Sequence, residues 1–141
     1  MRIHGRCHCG QVSYTAEVDP SAVSVCHCSD CQTFSGAPFR ASVRAHSAQV
    51  QFQGQAREYV KTAASGRPRA QGFCGHCGSA LYATALHDRS VLGLRLGCVA
   101  ERAQLAPQAQ VWAGSAMPWL RALLDLPARE GGPDSAACQL D

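Results

Sequence analysis

The stretch VCHCSDCQTFSG, Val25 to Gly36, sets three thiols, Cys26, Cys28 and Cys31, within six residues. Thiols that close together act on a common partner, and that partner decides how the rest of the chain folds. Two further groups give the context: Cys7-His8-Cys9 is a CxC and Cys74-Gly75-His76-Cys77 is a CxxC. Cys98 and Cys138 stand alone among nine cysteines. Disulfides fit poorly, because a CxC bridge closes a ring too small for the favoured Cα separation and torsion, and nine is an odd number. A redox role for Cys74 and Cys77 alone leaves the CxC and the CxCxxC unexplained. Metal binding accounts for all seven grouped thiols, and zinc is the ordinary ion for thiolate-rich tetrahedral sites.

Seven sulfurs divide unequally between two ions. A closed structural zinc takes four ligands, so the two short pairs, Cys7 with Cys9 and Cys74 with Cys77, belong together. Each pair is followed by glycine, in CHCG and CGHCGS, and glycine supplies the positive φ that wraps backbone around sulfur. This clamp closes a loop of 64 residues between Cys9 and Cys74, at a length-dependent entropy of about 3.7 kcal/mol. Structural zinc contributes roughly 10–16 kcal/mol, so the metal outweighs the closure. Cys26, Cys28 and Cys31 then hold a second zinc with three protein ligands and an open position, the pattern of a catalytic zinc. His27, Asp30 or a distant side chain could close that position instead. His27 lies between two ligands, and in an extended segment its side chain points away from the metal.

The remaining sequence sets the class. A chain of 141 residues predicts one domain. Hydrophobic content of 46% and charged content of 16% exclude a disordered acidic chain, and no apolar run approaches the roughly 20 residues of a membrane span. The start, MRIHGRCHCG, lacks the apolar stretch of a secretory signal. A reducing cytoplasm is the expected location, where grouped cysteines bind metal or do chemistry. Two divalent ions on seven thiolates would take the formal net charge from +3 to about zero. That removes the basic-protein argument for nucleic acid, and 6% aromatic residues are sparse for base stacking.

Alternation marks short strands. Gln11–Glu17 sets Val12, Tyr14 and Ala16 against polar neighbours. Ala80–Ala85 and Val91–Leu96 flank LHDRS as a hairpin, Val50–Phe52 and Glu58–Val60 surround the turn-prone Gln53-Gly54, and Ala109–Trp112 is a further strand. The segment after Cys28 predicts one helical turn, and Pro118–Leu124 a short helix with proline near its start. Thr62–Pro68 reads as an exposed, mobile loop. The domain is expected over residues 3–127, with 128–141 a flexible tail that carries Cys138 as a spare thiol. Cys98 reads as a small buried residue.

Three stretches carry a resemblance: Gly5-Arg6-Cys7-His8-Cys9-Gly10-Gln11-Val12, Cys26 to Cys31 with Ser35-Gly36, and Phe73-Cys74-Gly75-His76-Cys77-Gly78-Ser79-Ala80-Leu81. With them the chain resembles the glutathione-dependent formaldehyde-activating enzymes, a family that includes the related domain of centromere protein V. The resemblance runs from about Gly5 to Pro127. It implies a mainly β, tent-like single domain of short antiparallel sheets organised around zinc. It also implies two zinc ions per chain, structural at Cys7, Cys9, Cys74 and Cys77 and functional at Cys26, Cys28 and Cys31. The implied activity is a carbon–sulfur lyase or synthase reaction that joins formaldehyde and glutathione into S-hydroxymethylglutathione. One departure stands in Pro107-Gln108-Ala109-Gln110-Val111, where Gln110 occupies a place that is often histidine in the family; it points to another thiol as a possible substrate.

Three cysteinates and a divalent zinc sum to −1, which weakens a Lewis acid, so thiol capture is favoured over activation of the aldehyde oxygen. Glutathione is anionic, and Arg40, Arg44, Arg57, Lys61, Arg67 and Arg69 are candidate partners for its carboxylates, each otherwise a solvated basic side chain. Ser29, Asp30, Gln32 and Ser35 flank the triplet as candidate hydrogen-bonding groups. Of the three histidines inside cysteine motifs, His27 borders the open site and is the candidate for proton transfer, while His8 and His76 read as outward-facing. The partners expected are a small-molecule thiol and an aldehyde, with no membrane. The competing class is a non-catalytic zinc module that binds glutathione, a protein or nucleic acid, as CxxC ribbons do.

Overall fold

Side chains alternate across a strand, so register assigns each residue to a face. In the computed structural model, which describes residues 1–140, the strands are β1 (Arg2–Arg6), β2 (Ser13–Glu17), β3 (Val23–Cys26), β4 (Arg40–His46), β5 (Val50–Gln53), β6 (Arg57–Thr62), β7 (Pro68–Phe73), β8 (Ala80–Ala85), β9 (Val91–Arg95) and β10 (Ala109–Val111). One α-helix, α1 (Ser29–Ser35), follows the second cysteine group, and single turns of 3-10 helix connect several strands. The fold is mainly β. β1, β2 and β5 form an antiparallel sheet of three. The other sheet has seven strands in the order β10-β3-β4-β9-β8-β7-β6. It is mixed, because β10 runs parallel to β3.

The seven-stranded sheet has two chemically different faces. Val23 and Val25 on β3, Val43 and Ala45 on β4, and Leu92 and Leu94 on β9 point to one side and are buried. All of these but Val25 meet Ile3, Tyr14 and Ala16 from the smaller sheet in a single apolar core. The opposite side carries Cys26, Arg40, Ser42 and Arg95 in adjacent register: Cys26 opposes Arg40 and Ser42 opposes Arg95. Further along the same side Gln71 opposes Ala83, which opposes Gly93. A sheet with one apolar and one polar face stabilises the fold on one side and leaves the other for chemistry.

The strand expectations at Gln11–Glu17, Ala80–Ala85, Val91–Leu96, Val50–Phe52, Glu58–Val60 and Ala109–Trp112 coincide with β2, β8, β9, β5, β6 and β10. β5 and β6 flank Gln53-Gly54 without pairing: β5 joins β2, and β6 joins β7 in the other sheet. The expected single turn after Cys28 is a full short helix, ended by Gly36 in the left-handed conformation. Pro118–Asp125 is 3-10 rather than α. Beyond residue 127, Ala128–Arg129 and Ala137–Cys138 pair as a small antiparallel ladder. Among the described residues no helix is long and apolar enough to cross a membrane.

Candidate metal centres and the cleft between them and solvent

Each cysteine motif is a turn that points sulfur inward. At the first, Cys7 N–H donates to the Val12 carbonyl at 2.9 Å, and Val12 N–H donates to Cys7 Sγ at 3.3 Å. At the third, Cys74 N–H donates to the Ser79 carbonyl at 3.0 Å and Gly78 N–H to the Cys74 carbonyl at 2.9 Å. Gly10 and Gly78 adopt φ of 82° and 76°, the conformation that their place after each pair requires. The turns bring Cys7, Cys9, Cys74 and Cys77 into one group, every Sγ within 4.8 Å of the others. Cys7–Cys9 and Cys9–Cys74 are 3.6 and 3.7 Å apart. Four sulfurs at about 2.3 Å from a tetrahedral zinc stand about 3.8 Å from one another, whereas a disulfide is about 2.05 Å. The donor set and spacing fit zinc.

The second motif converges differently. Cys26 ends β3, Cys28 is the N-cap of α1, and Cys31 lies in the first turn of that helix. Cys28 Sγ accepts the Cys31 N–H at 3.4 Å, so a ligand sulfur replaces the usual capping oxygen. The three sulfurs lie within 4.8 Å of one another, with Cys26 and Cys28 3.5 Å apart. Among the described residues no fourth His, Cys, Asp or Glu joins this group. Burial and the adjacent Cys26 sulfur push the metal-free Cys31 thiol up to about 12, so metal loading here releases a tightly held proton.

The three sulfurs open into a cleft of about 700 Å³. Arg40, Lys61, Arg67 and Arg69 line it, as do Trp112 and the loop residues Thr62 to Ser65. Of the six basic residues named from the sequence, these four surround the cysteine triad. Arg44 lies on a different surface beside Met1 and Val18, and Arg57 packs against Gly75 by the four-sulfur group. Ser29 and Asp30 border the cleft, and Asp30 is paired with Lys61. Gln32 and Ser35 brace the backbone: Gln32 Nε2 donates to the carbonyls of His27 at 2.7 Å and Ser115 at 3.0 Å, and Ser35 Oγ donates to the Cys31 carbonyl at 2.7 Å.

His8 and His76 are exposed, as expected. His27 is not: it is 2% exposed, edge-on to Phe39, and its Nε2 donates to Gln110 Oε1 at 2.9 Å. It does not line the cleft. The residue that departs from the family pattern therefore holds the histidine of the central motif, across the β3–β10 pairing. Cys98 is half-buried, with its Sγ donating to the Ala80 carbonyl at 3.2 Å, and neither it nor Cys138 joins a cysteine group.

Trp112 is the residue whose role sequence reasoning missed. It has φ 57° and ψ 36°, the one non-glycine residue with positive φ among those described. A bulky side chain there is strained. The indole is 60% exposed and forms part of the cleft wall.

A family model described as glutathione-dependent formaldehyde-activating enzyme matches residues 2–115. The chain belongs to that family. A crystal structure of a Rhodobacter sphaeroides protein is similar, with a TM-score of 0.59 at 17% identity, covering 77% of this chain and 99% of that one. That likeness is one of fold. No curated protein matches the chain.

Proposed function

We propose that this chain is a zinc-dependent carbon–sulfur lyase/synthase that interconverts glutathione plus formaldehyde and S-hydroxymethylglutathione, in a reducing cytoplasm. The observation that carries the reading is the unequal grouping of sulfurs: four in one cluster, three in the other, and the cluster of three opening into the cleft. Cys7, Cys9, Cys74 and Cys77 would hold a structural zinc, and Cys26, Cys28 and Cys31 a second one. Zinc with an exogenous position lowers the pKa of a bound thiol, which supplies the thiolate nucleophile that a free thiol with pKa near 8.5 mostly lacks at neutral pH.

The rest falls to the chain's own residues. Arg40, Arg67 and Arg69 have no carboxylate partner among the described residues and face the cleft, so they attract and orient an anionic tripeptide. Trp112 offers a flat apolar wall on the other side. Asp30 is held by Lys61 and His27 by Gln110, which keeps both from competing for the exogenous position. In the reaction the thiolate sulfur bonds to the carbonyl carbon, the C=O π pair moves to oxygen, and that oxygen takes the proton the thiol released. No oxidant or reductant is needed.

An exchange measurement at equilibrium tests this, since the uncatalysed reaction also proceeds. The zinc-loaded protein should speed exchange between glutathione, formaldehyde and S-hydroxymethylglutathione above the spontaneous rate, and Cys31→Ser should abolish the acceleration. A parent rate equal to the spontaneous one contradicts the proposal.

A further inference from the structure

Beside the cysteine triad lies a polar cluster of which the proposed function uses only Arg40. Arg95 is 7% exposed on β9, and it donates to Ser42 Oγ at 2.6 Å and to Gln71 Oε1 at 3.2 Å. Arg40 Nη1 donates to the same Gln71 oxygen at 3.0 Å. Two guanidinium groups on one amide oxygen fix the orientation of that amide, with its NH₂ turned the other way. Three buried donors of this cluster then have no partner: Arg40 Nε, Arg95 Nε and Gln71 Nε2. All three residues line a small cavity of about 180 Å³, and Arg40 and Gln71 line the thiol cleft as well. The small cavity is otherwise aromatic and apolar, with Phe34, Tyr59, Phe73 and Tyr82 in its wall.

Charge decides what belongs there. Buried charges need a counter-charge, and no carboxylate of the described chain pairs with Arg40 or Arg95. Three cysteinates and one zinc would supply −1 against the +2 of the two arginines, which leaves one positive charge uncompensated. Burial, and then the nearby Arg40, push Arg95 down to about 9, as expected of a guanidinium lacking its anion. A monoanion with two acceptor oxygens meets both the charge and the orphaned N–H groups.

We infer that Arg40, Gln71 and Arg95 form a carboxylate-binding site beside the three-cysteine cleft. The site stands on its own geometry; its use by the carboxylate of a captured thiol rests on the function proposed above.

Acetate is the probe, titrated into the zinc-loaded protein by calorimetry at constant ionic strength, with chloride as the reference anion. Acetate should saturate at one per chain and raise the thermal midpoint above that in chloride. Arg40→Met should weaken acetate at least tenfold, Arg40→Lys should restore part of the affinity, and Arg44→Ser on a different surface should leave it unchanged. Acetate behaving like chloride, or binding Arg40→Met as tightly as the parent, overturns the site. Competition identifies the source: glutathione should displace acetate while its diethyl ester does not if the carboxylate is tethered to the thiol, and joint binding of glutathione and acetate marks a separate small carboxylate. The acetate titration needs no thiol, so a site that binds acetate in a protein without exchange activity separates this inference from the reading of function.

Discussion

At the residue scale the chain makes two costly commitments. One is Trp112, held in the left-handed region beside the cleft at a cost of about 1–2 kcal/mol for a residue with a Cβ. Strain of this kind persists where it serves a site. Trp112→Gly should therefore stabilise the zinc-loaded protein by about 1 kcal/mol in urea denaturation and weaken glutathione binding in the same sample. Lower stability together with unchanged binding would remove Trp112 from the site. The other commitment is Cys31, a buried thiol with a raised pKa. Cys31→Ser should keep the fold and reduce bound zinc from two to one per chain by elemental analysis. The cysteine grouping was legible in sequence because spacing alone fixes which sulfurs meet. Trp112 was not, since backbone φ leaves no mark in composition, and its position read only as the end of a strand. The burial of His27 was equally hidden, because it depends on β10 returning to pair with β3 from more than 80 residues away.

At the element scale, strands with strong alternation were readable and those without it were not. β8 and β9 bury alternating residues and stood out. β7, PRAQGF, begins with proline, contains glycine and is covered on both sides, so it shows no period of two. Pairing across sequence was also hidden: β5 and β6 are neighbours along the chain and lie in different sheets. One cross-strand link has a defined pH signature. Glu58 on β6 accepts two hydrogen bonds from Arg89, at 2.7 and 2.8 Å, and one from Tyr82 on β8 at 2.9 Å. Arg89 first, and Tyr82 with it, hold the Glu58 carboxyl below its usual 4.5. A depressed acid contributes stability above its unfolded pKa and loses it as pH falls towards the folded value. Glu58→Gln should accordingly cost up to about 1 kcal/mol near neutral pH, and the difference from the parent should shrink once pH falls below 4.5. A pH-independent difference in chemical denaturation would refute the link.

At the scale of the whole molecule, the two cysteine groups sit in different parts of the fold. The four-sulfur group ties the turn after β1 to the turn after β7, closing the chain across the apolar core. Cys74→Ser should therefore unfold the domain, seen as loss of the cooperative thermal transition, whereas Cys31→Ser should not. The three-sulfur group sits on the polar face of the large sheet, with four basic side chains and no further acidic partner than Asp30 around the cleft. The four-and-three grouping was visible in the count and spacing of the cysteines; the two-faced sheet and the buried Arg95 emerge only from strand register.

The most direct measurement is a glutathione titration of the protein with cobalt in place of zinc, read in the thiolate-to-metal charge-transfer region. The expected change saturates at one glutathione per chain and disappears in Cys31→Ser. A spectrum that glutathione leaves unaltered would contradict thiol capture, and would mean that the three-sulfur centre is closed to incoming thiols.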